Sequence, residues 1–230
     1  YHTANKPFDS IIELKNTLKK NPAHADARFL LGQIYIDIGD MASAEKELRK
    51  ARELGNTTQQ LALLLAEALI LQDQHEQALE ELNALDSNKP QVLAEMHATR
   101  TLAYLGQKKA QEAQGAISRA LALSPGSLKV QLANIQFLLS GNEIAAARRE
   151  LDATVNAYPE SSEAWLLLGR LAEYQNDTAT VARAYQRVID LEPAARLTPR
   201  AFSARAGLAF EALRKGEPGP ARKQADILYL

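Results

Sequence analysis

The chain has 230 residues, a formal net charge of −1, 46% hydrophobic residues and no cysteine. These values exclude a disulfide framework and a cysteine-ligated zinc site, and the charge balance gives no case for nucleic acid or an anionic membrane surface as partner. The longest apolar run, Leu61–Leu71, is broken by Glu67 and falls short of the roughly 18 residues of a membrane span.

Length alone allows one large or two small domains. A recurring phrase replaces that estimate. At the start, Ser10, Leu14, Thr17 and Pro22 fit the second half of a helical hairpin, so residues 1–24 read as a partial repeat, with Pro7-Phe8 as the remnant of a preceding turn. The first full copy carries Leu31-Gly32, Ala44, Leu48 and Ala51; the second carries Leu65-Ala66, Ala78, Leu82 and Leu85. Tyr104, Ala113, Ile117, Ala120 and Pro125 mark the third, and Leu138, Ala147, Leu151, Thr154 and Pro159 the fourth. Trp165-Leu166-Leu167-Leu168-Gly169, followed by Tyr185, Val188 and Pro193, is the fullest statement of the phrase. Copies begin near Ala25, Gln59, Ala94, Leu128 and Ser162, at spacings of 34, 35, 34 and 34 residues, and the five of them occupy residues 25–195. Residues 196–230 then predict a longer loop and an incomplete sixth copy, restarting near Phe202, turning at Gly216-Glu217 and placing Ala221, Ala225 and Leu228 on its second helix.

Each copy predicts two helices. Gly32 and Gly169 sit mid-helix, where glycine costs about 1 kcal/mol against alanine, so close helix contact is the expected reason. Ala44, Ala78, Ala113 and Ala147 are the matching small residues on the second helix, with Val181 in that place in the fifth copy. Gly39-Asp40, Gly141-Asn142 and Asn176-Asp177 supply residues that tolerate a left-handed turn. Pro22, Pro125, Pro159 and Pro193 stand where a second helix must stop. Asn56 replaces that proline once, and Asp86-Ser87-Asn88-Lys89-Pro90 replaces it with one extra residue. The prediction is all-α throughout, with no strand.

This pattern resembles the tetratricopeptide repeat, a helix–turn–helix unit of 34 residues. The resemblance implies a right-handed α-solenoid in which each unit packs on its neighbours, the first helix of each lining a concave groove. It also implies a non-enzymatic protein-binding scaffold with no cofactor. Carried onto this chain, the inward-facing places that would hold a partner segment are Phe29, Gln33 and Ile36; Leu63, Glu67 and Ile70; Leu102; Leu132, Gln136 and Leu139; and Leu166, Arg170 and Tyr174. Asp26, Asp37, Leu71, Leu105, Gly106 and Lys129 occupy further inward places. Such a track, apolar with acidic interruptions, suits an extended peptide or an amphipathic helix. Some members of the family grip a C-terminal carboxylate with Lys and Asn; here those places hold Phe29, Leu63 and Ala98, and Gln33, Glu67 and Leu102, so the cationic cradle is missing.

A finer resemblance rests on Ile11 to Asn16, Asn21-Pro22, Ala27 to Gly32, Gly39-Asp40 and Ala44 to Ala51, together with Ala225 to Leu228. The stretches up to Ala51 look like the N-terminal repeats, and Ala225 to Leu228 like a later repeat, of PrsT-type proteins, large envelope proteins, often lipoproteins, of bacterial exopolysaccharide and PEP-CTERM/exosortase systems. That implies a periplasmic or envelope scaffold, lipid-anchored through a segment outside this stretch, whose partners are export or sorting proteins. A cytosolic adaptor, or the regulatory arm of a larger enzyme, would use the same groove. The start at Tyr1 and the stop within a helical pattern suggest a piece of a longer protein.

No catalytic or metal motif competes. The histidines His2, His24, His75 and His97 form no His-Glu-x-x-His pair; His24 and His75 read as solvated turn residues, and His97 takes the bulky packing place that Trp165 holds in the fifth copy. Glu80, Glu81 and the run Lys46–Arg52 read as paired helix surface. Charge is uneven: residues 59–93 hold one Lys/Arg against six Asp/Glu, and residues 196–230 hold seven against three.

Overall fold

The computed structural model describes residues 7–192 and 198–228, and among these every regular element is an α-helix. The first unpaired helix is α1 (Pro7–Lys20), followed by hairpins of α2 (Ala25–Asp37) with α3 (Met41–Glu53), α4 (Gln59–Ile70) with α5 (His75–Asn83), and α6 (Pro90–Gly106) with α7 (Ala110–Leu123). Then come α8 (Leu128–Ser140), α9 (Ile144–Ala157), α10 (Ser162–Tyr174), α11 (Thr178–Leu191), α12 (Pro199–Arg214) and α13 (Pro218–Leu228). The molecule is an all-α helical-repeat solenoid. Pro7 and Phe8 lie inside α1 rather than in a turn, proline being tolerated in a first helical turn because its missing N–H would be unpaired there anyway. The third hairpin starts at Pro90, four residues before Ala94, for the same reason. Pro193 and the rest of the expected loop through Leu197 lie outside the described residues, as do His2 and the chain ends.

Helix boundaries follow local chemistry. Asp40, Thr58, Ser161, Asp177 and Thr198 cap their helices by accepting from the backbone N–H three residues on, each cap contributing about 1 kcal/mol. The left-handed turn residues are Gly39 and Asn176 as read, but Asn142, at φ 59°, takes this conformation in place of Gly141. Lys108 does the same at φ 59°.

Two compact units can be described, each by itself: residues 7–144, and the stretch from Ala145 onward. In the first, Leu48, Leu61, Leu63, Leu65, Leu69 and Leu82 are all but fully buried, each contributing roughly 2 kcal/mol through removal from water. Gly32 is explained by its neighbour: a β-carbon there would come within 2.7 Å of the Leu48 side chain. His75 is not solvated as read. Its ring is tucked against Gly106, whose β-carbon would stand 2.2 Å away, and its side chain is only 16% exposed.

In the second unit the buried Tyr185 ring fits between two glycines. A β-carbon on Gly169 would approach it to 2.3 Å, and one on Gly207 to 2.2 Å. Burial, and then the hydrogen bond to Glu173, pushes the Tyr185 phenol far above its ordinary range, so it stays protonated and donates. Beyond α11 the buried Glu192 carboxylate accepts from the Thr198 hydroxyl and from Arg200 Nε at 2.7 Å. Burial alone would raise its pKa, but hydrogen bonds from Ser162, Thr198 and Arg200 outweigh that and hold it below the usual carboxylate value. Sequence reading gave Glu192 no role; its burial depends on how α12 folds back, which no local pattern encodes.

Candidate partner-binding face

The expected inward residues divide between the two units. In the first, α2, α4, α6 and α8 pack successively side by side, so their shared face is a continuous strip. Leu63, at 1% exposure, and Leu132, at 8%, belong to the core and offer no surface. Both were expected as anchors. A first helix is flanked by its neighbours, so a residue only slightly off the strip's centre is covered by the next helix. Phe29, Ile36 and Ile70 are half-buried against the cluster that contains Leu63, and Leu102 is half-buried against that of Ala98 and Ile117. Gln33, Gln136 and Leu139 are also half-buried. Leu71, the next inward residue after Ile70, is 59% exposed.

An ion pair runs across this strip. Lys129 Nζ of α8 lies 2.8 Å from Glu67 Oε2 of α4, spanning α6 between them. Both side chains are about a third exposed, so the pair contributes little to stability after solvent screening. Its consequence is geometric: a charged tie crosses an otherwise apolar surface at its middle.

In the second unit Leu166 is 7% exposed and packs in the core with Tyr185 and Val188, contrary to its expected role as a groove anchor. Arg170 is exposed, with Nη2 3.4 Å from Ser203 Oγ, and Tyr174 is 70% exposed. On α12, Phe210 and Leu213 are 67% and 61% exposed. They occupy, counted back from the turn at Gly216, the places that Arg170 and Glu173 hold on α10. Sequence reading restarted the sixth copy near Phe202 without carrying the inward places onto it. The register signal that would have found Phe210 and Leu213 was already present.

A second structural place recurs on the other side of the first helices. The fourth residue of a copy donates to the carbonyl of a proline six residues earlier. Arg28 Nε donates to Pro22 O at 3.1 Å, Gln131 Nε2 to Pro125 O at 3.4 Å and Trp165 Nε1 to Pro159 O at 3.0 Å. Each side chain thereby plugs the seam to the preceding second helix. The second copy has Ala62 here and the third has His97, and neither has the proline. A cleft of about 210 Å³ opens beside Ala62, and one of about 400 Å³ beside His97.

The seam is otherwise tied by charge. Arg52 grips Glu81 with two hydrogen bonds of 3.0 and 2.7 Å, and Arg49 lies 3.6 Å from the same carboxylate. In the second unit Arg148 reaches Asp152, Asp177 and Thr180. Hydrogen bonds from Thr180, then Arg148, hold the Asp177 carboxyl below its ordinary pKa. Among the described residues no group of three metal-ligating side chains occurs, and no helix is long and apolar enough to cross a membrane.

Residues 13–62 and 104–171, roughly half the chain, match the tetratricopeptide repeat family. Curated relatives include the human and mouse Protein O-mannosyl-transferase TMTC1, 25% identical over 73% of this chain and 26% identical over 77%. The chain spans only 19% and 23% of their lengths. Among solved structures, a tetratricopeptide repeat protein from Parabacteroides merdae aligns over 94% of this chain and 85% of its own, with TM-score 0.58 and 16% identity. In the APC/C hetero-tetramer Cut9–Hcn1, 43% of the matched chain aligns with 97% of this one, at TM-score 0.63 and 12% identity. Pseudomonas aeruginosa PilF aligns over 90% of both chains, at TM-score 0.52 and 18% identity. At these identities the likeness is one of fold.

Proposed function

Since the chain belongs to the tetratricopeptide repeat family, we propose that it is a non-catalytic scaffold holding a protein segment against the accessible faces of its first helices. The observation that carries this reading is an accessible apolar set on the first helices within each unit. In one unit Phe29, Ile36 and Ile70 are half-open and Leu71 is exposed, and in the other Tyr174, Phe210 and Leu213 expose large apolar area. Large exposed apolar side chains gathered on one helix face mark interaction surfaces rather than solvated ones. An amphipathic or extended segment with apolar anchors spaced along it is the matching ligand.

The test separates binding from folding. Tyr174→Ala with Phe210→Ala removes exposed surface only. Capture of native partners by the parent and by this variant, with circular dichroism melting of each, reads the two effects apart. Loss of the captured proteins with an unchanged melt supports the reading; equal capture by both sinks it. Leu63 and Leu132 are unsuitable for this test, because they are buried and their replacement unfolds the site.

We further place the scaffold in the bacterial envelope, as part of polysaccharide export or surface-protein sorting, on the resemblance of its first 50 residues to the PrsT-type repeats. Fractionation of the full-length protein decides this: recovery with periplasm and membranes agrees, and recovery with cytosol overturns it. The curated relatives motivate one other reading, a repeat arm joined to a catalytic domain, since this chain matches only a fifth or so of each. The complete reading frame would reveal such a domain.

A further inference from the structure

We propose that the cleft beside His97 is a second, separate binding site, which accepts a carboxylate from an acidic side chain of a protein partner. It lies on the face of α6 turned toward α5 and α7, away from the strip of Ala98, Leu102 and Leu105. Its lining includes Asn83, His97, Arg100, Tyr104, Glu112 and Arg119, around about 400 Å³.

Three features of the chain make the cleft. First, α5 is short: it has 9 residues, whereas the second helices α3, α7, α9 and α11 have 13 or 14. Its missing last turn uncovers the middle of α6. Second, the proline carbonyl that receives the seam-plugging side chain elsewhere is replaced by the segment from Asp86 to Pro90, and the Nδ1 atom of His97 is left buried without a hydrogen-bond partner. Third, the facing wall of α7 carries Gly115 and Ala116. A β-carbon at Gly115 would meet nothing within 4 Å, so space remains where another residue would fill it.

The charge in this space is unbalanced. Arg100 Nη2 donates to Leu82 O at 3.0 Å and to Asn83 Oδ1 at 3.1 Å, both at the cut end of α5. Those bonds fix the guanidinium and leave Nε and Nη1 as donors. Among the described residues neither Arg100 nor Arg119 has a carboxylate partner. By contrast, Arg28, Arg49, Arg52, Arg148 and Arg187 are each ion-paired. Burial, then Arg100 and Arg119, holds the His97 imidazole below its ordinary pKa, so near pH 7 the ring adds no charge. Two guanidinium groups against the one carboxylate of Glu112 leave a single net positive charge. A carboxylate, a monoanion with two acceptor oxygens, balances that charge and suits the arginine fork; a phosphate dianion would overshoot it and meet Glu112.

The probe is acetyl-Ala-Glu-Ala-amide, titrated into the ¹⁵N-labelled protein near pH 7 and followed by amide shifts. Saturating shifts are expected around residues 83, 97–104 and 112–119, with at least tenfold weaker binding of acetyl-Ala-Gln-Ala-amide. Arg119→Gln, an exposed position that leaves the fold intact, should weaken the Glu peptide at least tenfold. Equal binding of the Glu and Gln peptides, shifts located elsewhere, or an Arg119→Gln protein that binds as the parent does would each overturn the proposal. So would inorganic phosphate shifting the same amides when the Glu peptide does not. Because the readout is confined to the α5–α6–α7 face, failure here leaves the apolar strip untouched, and the Tyr174 and Phe210 variant leaves this cleft untouched.

Discussion

The third and fifth copies of the repeat occupy equivalent places in sequence and solve the same packing problem differently. In the fifth, Trp165 plugs the seam through Pro159, and the Tyr185 ring fills the space between Gly169 and Gly207. In the third, His97 replaces the tryptophan, no proline stands six residues before it, and the preceding second helix stops a turn early, leaving an open cleft lined by unmatched arginines. The same scaffold thus yields a closed joint where its seam is filled and a polar recess where it is not. Specificity in a repeat protein can therefore come from deletions and small residues on the seam as well as from residues added to the groove.

The comparison breaks most sharply at Gly169. Gly169→Leu drives a side chain into the buried Tyr185 ring, which cannot move because Gly207 bounds its other face. We expect a loss of about 4 kcal/mol, above the usual overpacking cost of about 1–3 kcal/mol because the ring has no room to yield, read as a lowered urea midpoint. A midpoint equal to the parent's would show that the ring is not fixed. Trp165→Ala should cost about 3 kcal/mol through lost packing and the lost bond to Pro159. His97→Ala, at the same place in an unplugged copy, should cost less than about 1 kcal/mol. Similar losses at the two would erase the distinction.

Glu192 sharpens the contrast between matched and unmatched charge. Glu192→Ala removes the buried carboxylate that pairs with Arg200 and should cost about 2 kcal/mol, less than breaking a fully buried pair because Arg200 is partly hydrated. The folded carboxyl has a depressed pKa. Its stabilisation is therefore present above the ordinary carboxylate pKa of about 4.3 and is lost as pH falls through the lower, folded value. The parent's fluorescence melt, read at Trp165, should fall in temperature on acidification from pH 5 toward pH 3, and Glu192→Gln should flatten that fall. Parallel pH profiles would remove Glu192 from the account.

The repeat was legible because its warrant is periodic: a glycine opposite Leu48 or Tyr185, a small residue facing it and a proline after the second helix recur at fixed distances. Which inward residues stay accessible was not. Leu63 and Phe29 hold equivalent places, yet one is covered and the other half-open, since exposure depends on the neighbouring helix and not on the residue's own offset. The cleft was half-visible. His97 was recognisable as a substitute for Trp165, and the extra residue before Pro90 as a departure. That α5 ends early enough to expose Arg100 requires long-range packing to be known.

Two substitutions of small effect bear on the third copy alone. Gly115→Ala, mid-helix and facing open space, should stabilise by about 1 kcal/mol through helix propensity, the opposite sign to any enlargement at Gly169. It should also narrow the cleft and weaken the Glu peptide. Finer still is Lys108, which turns the chain between α6 and α7 at φ 59°, where Asn142 and Asn176 serve in later copies. A lysine β-carbon is strained there by roughly 1 kcal/mol, whereas glycine adopts the conformation freely but gives back part of that gain through unfolded-chain entropy. Lys108→Gly should therefore raise stability by only about 0.5 kcal/mol. Because Lys108 lies outside the cleft lining, peptide affinity should stay unchanged. A gain in stability with constant affinity would show that the cleft is set by the short α5 and the missing plug. A loss of affinity would instead make the α6–α7 turn part of what shapes it.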